Sequence, residues 1–262
     1  MSSAAAGRAV DGSTVLGKTM AVLEAFSIDD TALSLAELAR RTRMPKGTLH
    51  RVLSDMVAVR LLDRTEAGYR LGGHLFELGM RASVERSLLE VAIPFLEELN
   101  ARIHETVHLG VLDGTDVVYL TKIGGRRQAS APSRIGGRMP VHCTAIGKVL
   151  LANADAALRD QVLTGPLRRH TPRTMILPGT LRNQLDRIAA DGVAFEFEES
   201  TPGLVCVAAP VREADQVVAA ISVAGPSHRF HPENHAAAVR AAAEGIGLTL
   251  TRRARLLGMP TA

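Results

Sequence analysis

The sequence predicts an α+β protein of two domains, a small winged helix-turn-helix domain followed by a larger mixed domain. Residues 34–72 contain two short helical patterns, a break between them and a hairpin-like tail, which is the order of elements in a winged helix. Beyond residue 86, runs of β-branched residues are mixed with helical stretches. A length of 262 residues and a hydrophobic content of 46% are enough for two cores of ordinary size.

The first helix of the winged helix begins at a capping signal. Ser34 and Glu37 have the capping-box spacing, and apolar residues follow at helical intervals. Pro45 suits the first position of the next helix and disfavours helical geometry in the residue before it. The sequence therefore predicts a helix from Ser34, a sharp turn at residues 42–44 and a second helix from Pro45 to about residue 60.

The second helix is amphipathic and lies in a basic stretch. From Arg40 to Arg51 there are five positive residues and no acidic residue, which predicts a concentrated positive field that attracts phosphates. Residues 61–71 have the pattern of two strands around a glycine turn, a wing whose arginines could reach the flanking backbone. We expect Lys46, Thr48, His50 and Arg51 to face the major groove, and Arg40, Arg41, Arg64 and Arg70 to hold phosphates. The alternative is a surface helical hairpin with a solvated basic face.

Bulk composition agrees with a DNA partner but does not identify it. The net charge of +4 and the pI near 9.5 fit a polyanion. However, residues 1–75 hold ten basic residues against eight acidic ones, so clustering carries the argument. Aromatic residues make up only 3% of the chain and Trp is absent, which disfavours stacking platforms for single strands and favours duplex DNA. A protein-interaction module that uses the basic helix for an acidic partner remains an alternative.

Motifs along nearly the whole chain resemble those of one family. The N-terminal part contains VLGKTMAVLEAF, LSLAELARRTRMPKGTLHRVLSDMV and GYRLG, and the rest contains ETVHLGVLDGTDVVYLTKI, RMPVHCTAIGKVLLA, GLVCVAAPVRE and ISVAGPSHR. In this order they resemble the IclR family of bacterial transcription regulators. The resemblance implies a C-terminal GAF-like α/β domain that binds an effector. It also implies a homodimer or homotetramer that binds a pseudo-palindromic operator, and we expect a repressor.

The resemblance further implies where a small organic-acid or aromatic-acid effector would bind. The residues carried over are Met139, Ala145, Ile146, Glu196, Leu204, Cys206 and Ser222. Backbone amides at a helix N-terminus near residues 145–146 suit an anionic group. The chain departs from the family pattern at three positions: Glu196 stands where aspartate is familiar, Ala224 where a second serine is often seen, and Cys143 where alanine is more usual.

The expected organisation has four parts: a flexible tail over residues 1–13, the winged helix-turn-helix domain over 14–73, a connecting helix over 74–86 and the effector-binding domain over 87–258. Leu75, Leu78 and Ala82 form an apolar stripe on the connecting helix, which predicts oligomerisation through it. A second helix follows, which Pro94 should kink or restart.

The larger domain should contain five strands and four helices. The strands are expected at 106–112, 117–123, 193–197, 205–211 and 217–223, and the helices near 144–152, 155–163, 181–190 and 233–256. Asp113 and Gly114 mark a turn inside a hairpin. The loop 124–138 carries Arg126, Arg127, Arg134 and Arg138, either as a solvated loop or in contact with an effector or another subunit.

Catalytic, metal and cofactor sites are not expected. His142 and Cys143 evoke a base and a thiol nucleophile, but neighbours on a strand point to opposite faces. His228, His231 and His235 could bring two nitrogens near a metal, although the surrounding residues indicate a loop. The runner-up function is a metabolite-binding protein or enzyme with a winged-helix appendage.

Two distant cysteines argue for reduced thiols, and the sequence shows no signal peptide or transmembrane run. We therefore expect a cytoplasmic protein without a membrane partner.

Overall fold

The computed structural model describes residues 11–27, 29–81, 83–124 and 132–256, with the side chains of residues 83–86 left aside. The chain divides into two compact units, Met1–Arg86 and Ser87–Ala262. Most of the predicted tail lies outside the described residues, as do Arg126 and Arg127. None of the helices within these ranges combines the length and the hydrophobicity that crossing a bilayer requires.

The first unit is a winged helix. Its elements are α1 (Val15–Glu24), α2 (Leu35–Thr42), α3 (Lys46–Ala58), β1 (Leu62–Thr65), β2 (Gly68–Leu71) and α4 (Gly73–Gly79). The Ser34 hydroxyl accepts a hydrogen bond from the Glu37 amide at 3.2 Å, so the predicted cap of α2 is confirmed. The predicted turn is also confirmed, since Arg43 adopts a left-handed conformation with φ of 57°. Pro45 is the N-cap of α3 and not its first residue, so the helix begins one residue later than expected, at Lys46.

A single apolar core holds these helices to the wing. It contains Leu38 from α2, Leu49 and Leu53 from α3, and Tyr69 from β2, all buried. Tyr69 also pairs with Leu33, which ties the wing to the segment before α2. The wing turn requires glycine at position 68, where φ is +134° and an added Cβ would lie 2.2 Å from the Leu33 carbonyl oxygen.

The connecting helix is shorter than predicted, and the second predicted helix begins earlier, at Ser83. Helix α4 ends at Gly79, and α5 (Ser83–Ile103) begins four residues later. The Arg81 amide bonds to the Leu78 carbonyl, an i to i+3 bond that tightens the end of α4, and glycine is a weak helix former. Pro94 was predicted to kink or restart the second helix; α5 continues through it, so the helix does not restart there.

The second unit is built on a six-stranded antiparallel sheet. The strands are β3 (Thr106–Asp113), β4 (Asp116–Ile123), β5 (Arg138–Pro140), β6 (Ala194–Phe197), β7 (Leu204–Glu213) and β8 (Gln216–Pro226). Their order across the sheet is β5-β4-β3-β8-β7-β6. The five predicted strands are confirmed, and the hairpin turn after Asp113 has a left-handed glycine at 114. Strand β5 was not predicted.

Helices cover both faces of this sheet and form two separate cores. The helices are α6 (Ala145–Ala152), α7 (Ala156–Thr164), α8 (Pro178–Asp191) and α9 (Ala236–Leu256), with a 3-10 turn at Pro232–His235 before the last. Helices α5 and α9 pack on one face, and α6, α7 and α8 pack on the other. All four predicted helices are therefore confirmed, and the α+β class with them.

The prediction that His142 and Cys143 lie on a strand was wrong. Residues Val141–Cys143 form a 3-10 turn, not a strand, immediately before α6. The alternation rule that placed the side chains of His142 and Cys143 on opposite faces therefore does not apply to them. Gly147 of α6 packs so closely on this turn that an added Cβ would lie 2.4 Å from Val141.

Candidate functional site

Helix α3 presents a polar face to solvent, as its sequence predicted. Lys46, His50 and Arg51 are exposed and Thr48 is half-buried, while the apolar residues of α3 lie in the core of the winged helix. The amphipathic pattern alone positions these side chains, because residues three or four apart share a helix face. The four residues expected at the major groove therefore lie on the surface of one helix.

Two of these residues carry positive charge that no acid offsets. In the described ranges, neither Lys46 nor Arg51 forms an ion pair. Arg43, at the left-handed turn before α3, is also exposed and unpaired by the same criterion. Arg43 belongs to the basic stretch of residues 40–51 but was not among the predicted contact residues. The free positive charge thus centres on the start of α3.

The charge on α2 differs from the expectation. Arg40 pairs with Glu37 at 2.6 Å, and Arg41 pairs with both Glu37 at 2.7 Å and Asp30 at 2.5 Å. Arg41 also donates to the Ala25 carbonyl at 2.9 Å. Hydrogen bonds from Arg40 and Arg41 lower the pKa of Glu37 to about 2, so its charge persists. Residues 40–51 contain no acidic residue, but Asp30 and Glu37, which precede them in sequence, contact Arg40 and Arg41 in the fold. Arg41 therefore has a structural role.

The two wing arginines have different partners. The Arg64 guanidinium lies 5.5 Å from the centre of the Tyr69 ring, which leaves its charge without an acidic partner among the described side chains. Arg70 faces Asp63 across the hairpin and pairs with it at 3.0 Å. Arg64 is therefore the better placed of the two to contact a phosphate.

The second unit encloses a polar cavity between the sheet and α6. All seven residues carried over from the family resemblance line it: Met139, Ala145, Ile146, Glu196, Leu204, Cys206 and Ser222. Seven further residues complete the lining: His108, Tyr119, Pro132, Ser133, Thr144, Ser200 and Ala224. The sequence did not identify these as lining residues, although Thr144 has the type and position of a helix cap.

Strand pairing brings the polar groups of the cavity together. Glu196 on β6 pairs with Cys206 on β7, and His108 on β3 pairs with Ser222 on β8. The Thr144 hydroxyl accepts a hydrogen bond from the Gly147 amide at 3.1 Å and fixes the first turn of α6 at the cavity wall. Residues more than 100 positions apart in sequence thus meet because the strands are neighbours.

His108 is a neutral side chain at the base of the cavity, and both of its ring nitrogens have hydrogen-bond partners. Its Nε2 lies 2.8 Å from the Ser133 hydroxyl, and its Nδ1 lies 3.3 Å from the Ser222 hydroxyl. Burial lowers the pKa of His108 to about 3, with a smaller contribution from the positive charge of Lys122. At neutral pH the ring therefore donates through one nitrogen and accepts through the other.

Glu196 is the acidic group of the cavity. It is fully buried, and its Oε1 accepts from the Glu199 amide at 2.6 Å and from the Ser200 amide at 3.0 Å. Its Oε2 has no hydrogen-bond partner among the residues that the structure describes. Burial raises the pKa of Glu196, although the hydrogen bonds oppose the shift. A protonated Glu196 could donate from Oε2 to an anionic ligand.

The cavity is narrow. It leaves ≈ 20 Å³ open, which is room for about one water molecule. An occupant that contains a ring would require side chains to move, and Met139 is the most adaptable of the lining residues because thioether chains change rotamer easily. The thiol of Cys206 stays protonated, since burial raises its pKa well above the ordinary value.

A second cluster of polar groups lies outside the cavity lining. His142, Cys143 and His170 each offer one ligand atom, and these atoms lie within 4.8 Å of one another.

The three histidines considered for a metal from sequence do not form such a group. His235 stacks on Phe230 with ring centres 4.9 Å apart. Arg138 of the basic loop pairs with Asp113 at 2.7 Å.

Comparison with known families and proteins identifies both units. The family described as "IclR helix-turn-helix domain" matches residues 15–66, and "Bacterial transcriptional regulator IclR C-terminal" matches residues 80–248. Together the two matches span most of the chain; the first lies within the first unit, and the second begins at residue 80 and covers most of the second unit.

Individual relatives align over most of the chain. The HTH-type transcriptional regulator XynR of Escherichia coli is 35% identical over 247 residues, which cover 93% of this chain and 96% of XynR. KdgR of the same organism is 36% identical over 220 residues, 82% of this chain and 83% of KdgR. A crystal structure of an IclR homolog from Microbacterium hydrocarbonoxydans, complexed with 4-hydroxybenzoate, superposes with a TM-score of 0.87 at 34% identity. It covers 91% of this chain and 100% of that one.

Proposed function

Because the chain belongs to the IclR family of bacterial transcriptional regulators, we propose that it represses genes by binding a pseudo-palindromic operator, under the control of a small acidic metabolite. The protein is a DNA-binding regulator and not an enzyme. Its site of action is the cytoplasm, where duplex DNA is the partner, and it acts there as a homodimer or homotetramer. The observation that supports effector control is the enclosure of seven family-equivalent residues around one cavity.

The DNA contact centres on the start of α3. Lys46, His50 and Arg51 project from one exposed helix face, which suits a helix in the major groove. Thr48 lies on the same helix, half-buried. Arg40, Arg64 and Arg70 hold phosphates at the flanks of the groove. Arg41 contributes less than expected from sequence, since two carboxylates and a carbonyl already hold its guanidinium.

Arginine substitutions test this interface. Arg51→Ala should weaken operator binding by about 1–3 kcal/mol and relax preference at particular base pairs, because a base contact carries sequence information. Arg40→Ala should weaken all sequences alike and flatten the dependence of affinity on salt. Arg187→Ala, an exposed arginine of the other unit, is the control. Binding-site selection with all three variants would contradict the interface if Arg51→Ala behaved like the control.

The effector is proposed to be an organic or aromatic acid. The crystallised Microbacterium homolog is complexed with 4-hydroxybenzoate, whose carboxylate and phenol need hydrogen-bond donors and a narrow apolar slot. The cavity here offers the amides at the start of α6, the hydroxyl of Ser222 and the side chain of Glu196, whose pKa is raised by burial. Pairing with an anion would favour the protonated state of Glu196 further.

A ligand screen with matched variants tests the effector site. The thermal stability of the full chain is measured with 4-hydroxybenzoate and a panel of related acids, because a ligand of the native state raises Tm by mass action. Ala145→Trp should abolish the shift by filling the cavity, and Ser222→Ala should reduce it. Ala157→Trp on the exposed face of α7 should leave it intact. Equal shifts in Ala145→Trp and wild type would show that the ligand binds elsewhere.

Operator binding and effector binding should be coupled, but a single mutation should separate them. An effector that weakens operator binding must itself bind more weakly to the DNA complex, typically by a coupling of about 1–3 kcal/mol. Calorimetric titration of wild type and Ala145→Trp, each with and without operator, measures the effector affinity and the change that operator causes in it. The variant should retain operator affinity while losing effector affinity.

Oligomerisation is proposed to use the exposed apolar residues of α4. Phe76 is 73% exposed and Leu78 is 41% exposed on this seven-residue helix, while Leu75 is half-buried and Ala82 lies outside the described residues. A dimer would place two winged helices on half-sites about 34 Å apart or a multiple of that distance. Light scattering of wild type and Phe76→Glu at micromolar concentration tests this. A monomeric wild type with full operator affinity would contradict it.

A further inference from the structure

The cluster of His142, Cys143 and His170 is not part of the effector cavity. None of the three residues lines that space, although the next residue, Thr144, does. His142 and Cys143 are buried in the 3-10 turn before α6, and His170 is exposed on the segment between α7 and α8. One ligand atom from each lies within 4.8 Å of the other two. A sulfur and two imidazole nitrogens converging in this way form a donor set that transition metals prefer.

We propose that His142, Cys143 and His170 form a three-ligand site for a divalent transition metal of the Zn²⁺ class. In a tetrahedral zinc site the Zn–N and Zn–S distances are about 2.0–2.3 Å, which places ligand atoms roughly 3.5 Å apart. Closing the present separations to that value requires a shift on the order of 1 Å. The exposed ring of His170 can make this shift, and its exposure leaves the fourth position open to water.

One ring nitrogen of His142 already has a carbonyl partner. Its Nε2 lies 2.9 Å from the Arg168 carbonyl oxygen, and donation to that oxygen would leave the lone pair of Nδ1 for a metal. Histidines that bind metals commonly donate their second ring nitrogen to a carbonyl or carboxylate, which fixes both tautomer and orientation. The hydrogen bond that would fix this ring is therefore present without the metal.

The segment that carries His170 is held by hydrogen bonds at His170 and at the residues that follow it. The His170 amide donates to the Thr174 hydroxyl at 3.0 Å. The Thr171 hydroxyl donates to the Glu198 carbonyl at 2.6 Å, and the Thr174 hydroxyl donates to the Glu199 carbonyl at 2.7 Å. The backbone at His170 is thus held in place, so metal binding would order one side chain and not a whole loop.

A cation at the cluster displaces a thiol proton. Cys143 is a buried free thiol, and its Sγ donates to the Pro140 carbonyl oxygen at 3.7 Å. Metal binding forms the metal–sulfur bond and releases the proton to solvent. Glu199 is buried, its Oε2 has no hydrogen-bond partner in the part of the chain that is described, and it pairs with Lys148. Lys148 already offsets this carboxylate, so the thiolate formed at Cys143 supplies the negative charge at the site.

Cobalt titration of the full chain tests the site. Metal-free protein is titrated with Co²⁺, and we expect one ion per chain with a thiolate-to-cobalt charge-transfer absorption that Zn²⁺ abolishes. Cys143→Ala should lose this absorption, and His170→Gln should weaken binding by about tenfold or more. Cys206→Ala removes the only other thiol, and His228→Gln removes another exposed histidine. Both controls should titrate like wild type.

Each outcome decides the assignment. If the absorption survives in Cys143→Ala or disappears in Cys206→Ala, the ligand sulfur has been assigned wrongly. If His170→Gln binds as tightly as wild type, the three-ligand site is refuted. Melting of metal-free Cys143→Ala controls for folding. If that variant is unstable, His170→Gln decides alone, because His170 is exposed and its replacement leaves the core untouched.

Discussion

The buried ion pair between Lys148 and Glu199 gives the sharpest prediction for stability. Lys148 of α6 has no exposed surface, Glu199 is 5% exposed, and Nζ donates to Oε1. Lys148→Met keeps the length and apolar volume of the side chain but leaves a buried carboxylate without its cation. Breaking a buried pair in this way costs about 3–5 kcal/mol, because the remaining charge is desolvated and uncompensated.

The expected loss is large enough to measure in several ways. For a unit of about 170 residues, 1 kcal/mol corresponds to about 2–4 °C in Tm, so Lys148→Met should melt roughly 6–20 °C below wild type. Urea unfolding followed by circular dichroism gives the free energy, and hydrogen exchange of peptides from α6 assigns the loss to the second unit.

Two comparisons separate the charge from the packing. The double variant Lys148→Met/Glu199→Gln removes both charges and should recover much of the loss, since apolar or neutral replacements of a buried pair are often near neutral. Arg159→Met breaks the exposed pair with Asp186, whose atoms lie 2.5 Å apart, and should cost less than about 1 kcal/mol. If Lys148→Met cost no more than Arg159→Met, the view of Lys148 as an essential buried counter-ion would be wrong.

Three further predictions concern single positions. Gly68→Ala should destabilise the winged helix in a thermal melt, because its Cβ would collide with the Leu33 carbonyl at a backbone conformation unsuited to alanine; an unchanged Tm would refute that strain. Glu196→Gln should remove a pH dependence: since the folded pKa of Glu196 is raised, wild type should lose stability relative to the variant as pH rises above 4.5, and parallel urea curves would contradict this. Arg41→Gln should lower the Tm of the first unit by removing its contacts with Asp30 and Glu37, whereas Arg51→Gln should not; operator affinity should show the reverse order.

The winged helix could be predicted from sequence because its signals are local. The Ser34 cap lies three residues from its partner, Pro45 adjoins the helix it begins, and Gly68 lies within the turn that requires it. The same local view failed for Arg41, whose partner Asp30 lies eleven residues earlier across a turn. Charge counting along the chain cannot detect such a pair.

The cavity could be predicted only through the family resemblance. Its residues come from strands that are neighbours in the sheet but far apart in sequence, and neither spacing nor hydropathy identifies His108 or Ser133 as partners. The pair between Lys148 and Glu199 spans 51 positions, and a lysine in an apolar helix gives no hint of its partner. The cluster at His142 was missed because a 3-10 turn was taken for a strand.

Alternation along the central parts of β7 and β8, away from the bulge at Val211 and Arg212, has a consequence for how ligand preference can change among related regulators. On β7, Val205 and Val207 pack under α5 and α9, while Leu204 and Cys206 face the layer of α6. On β8, Ile221 and Val223 likewise point away from the cavity that Ser222 lines. Mutations at the cavity positions therefore leave the opposite layer intact, so one half of the domain can diversify in evolution while the other half preserves the scaffold.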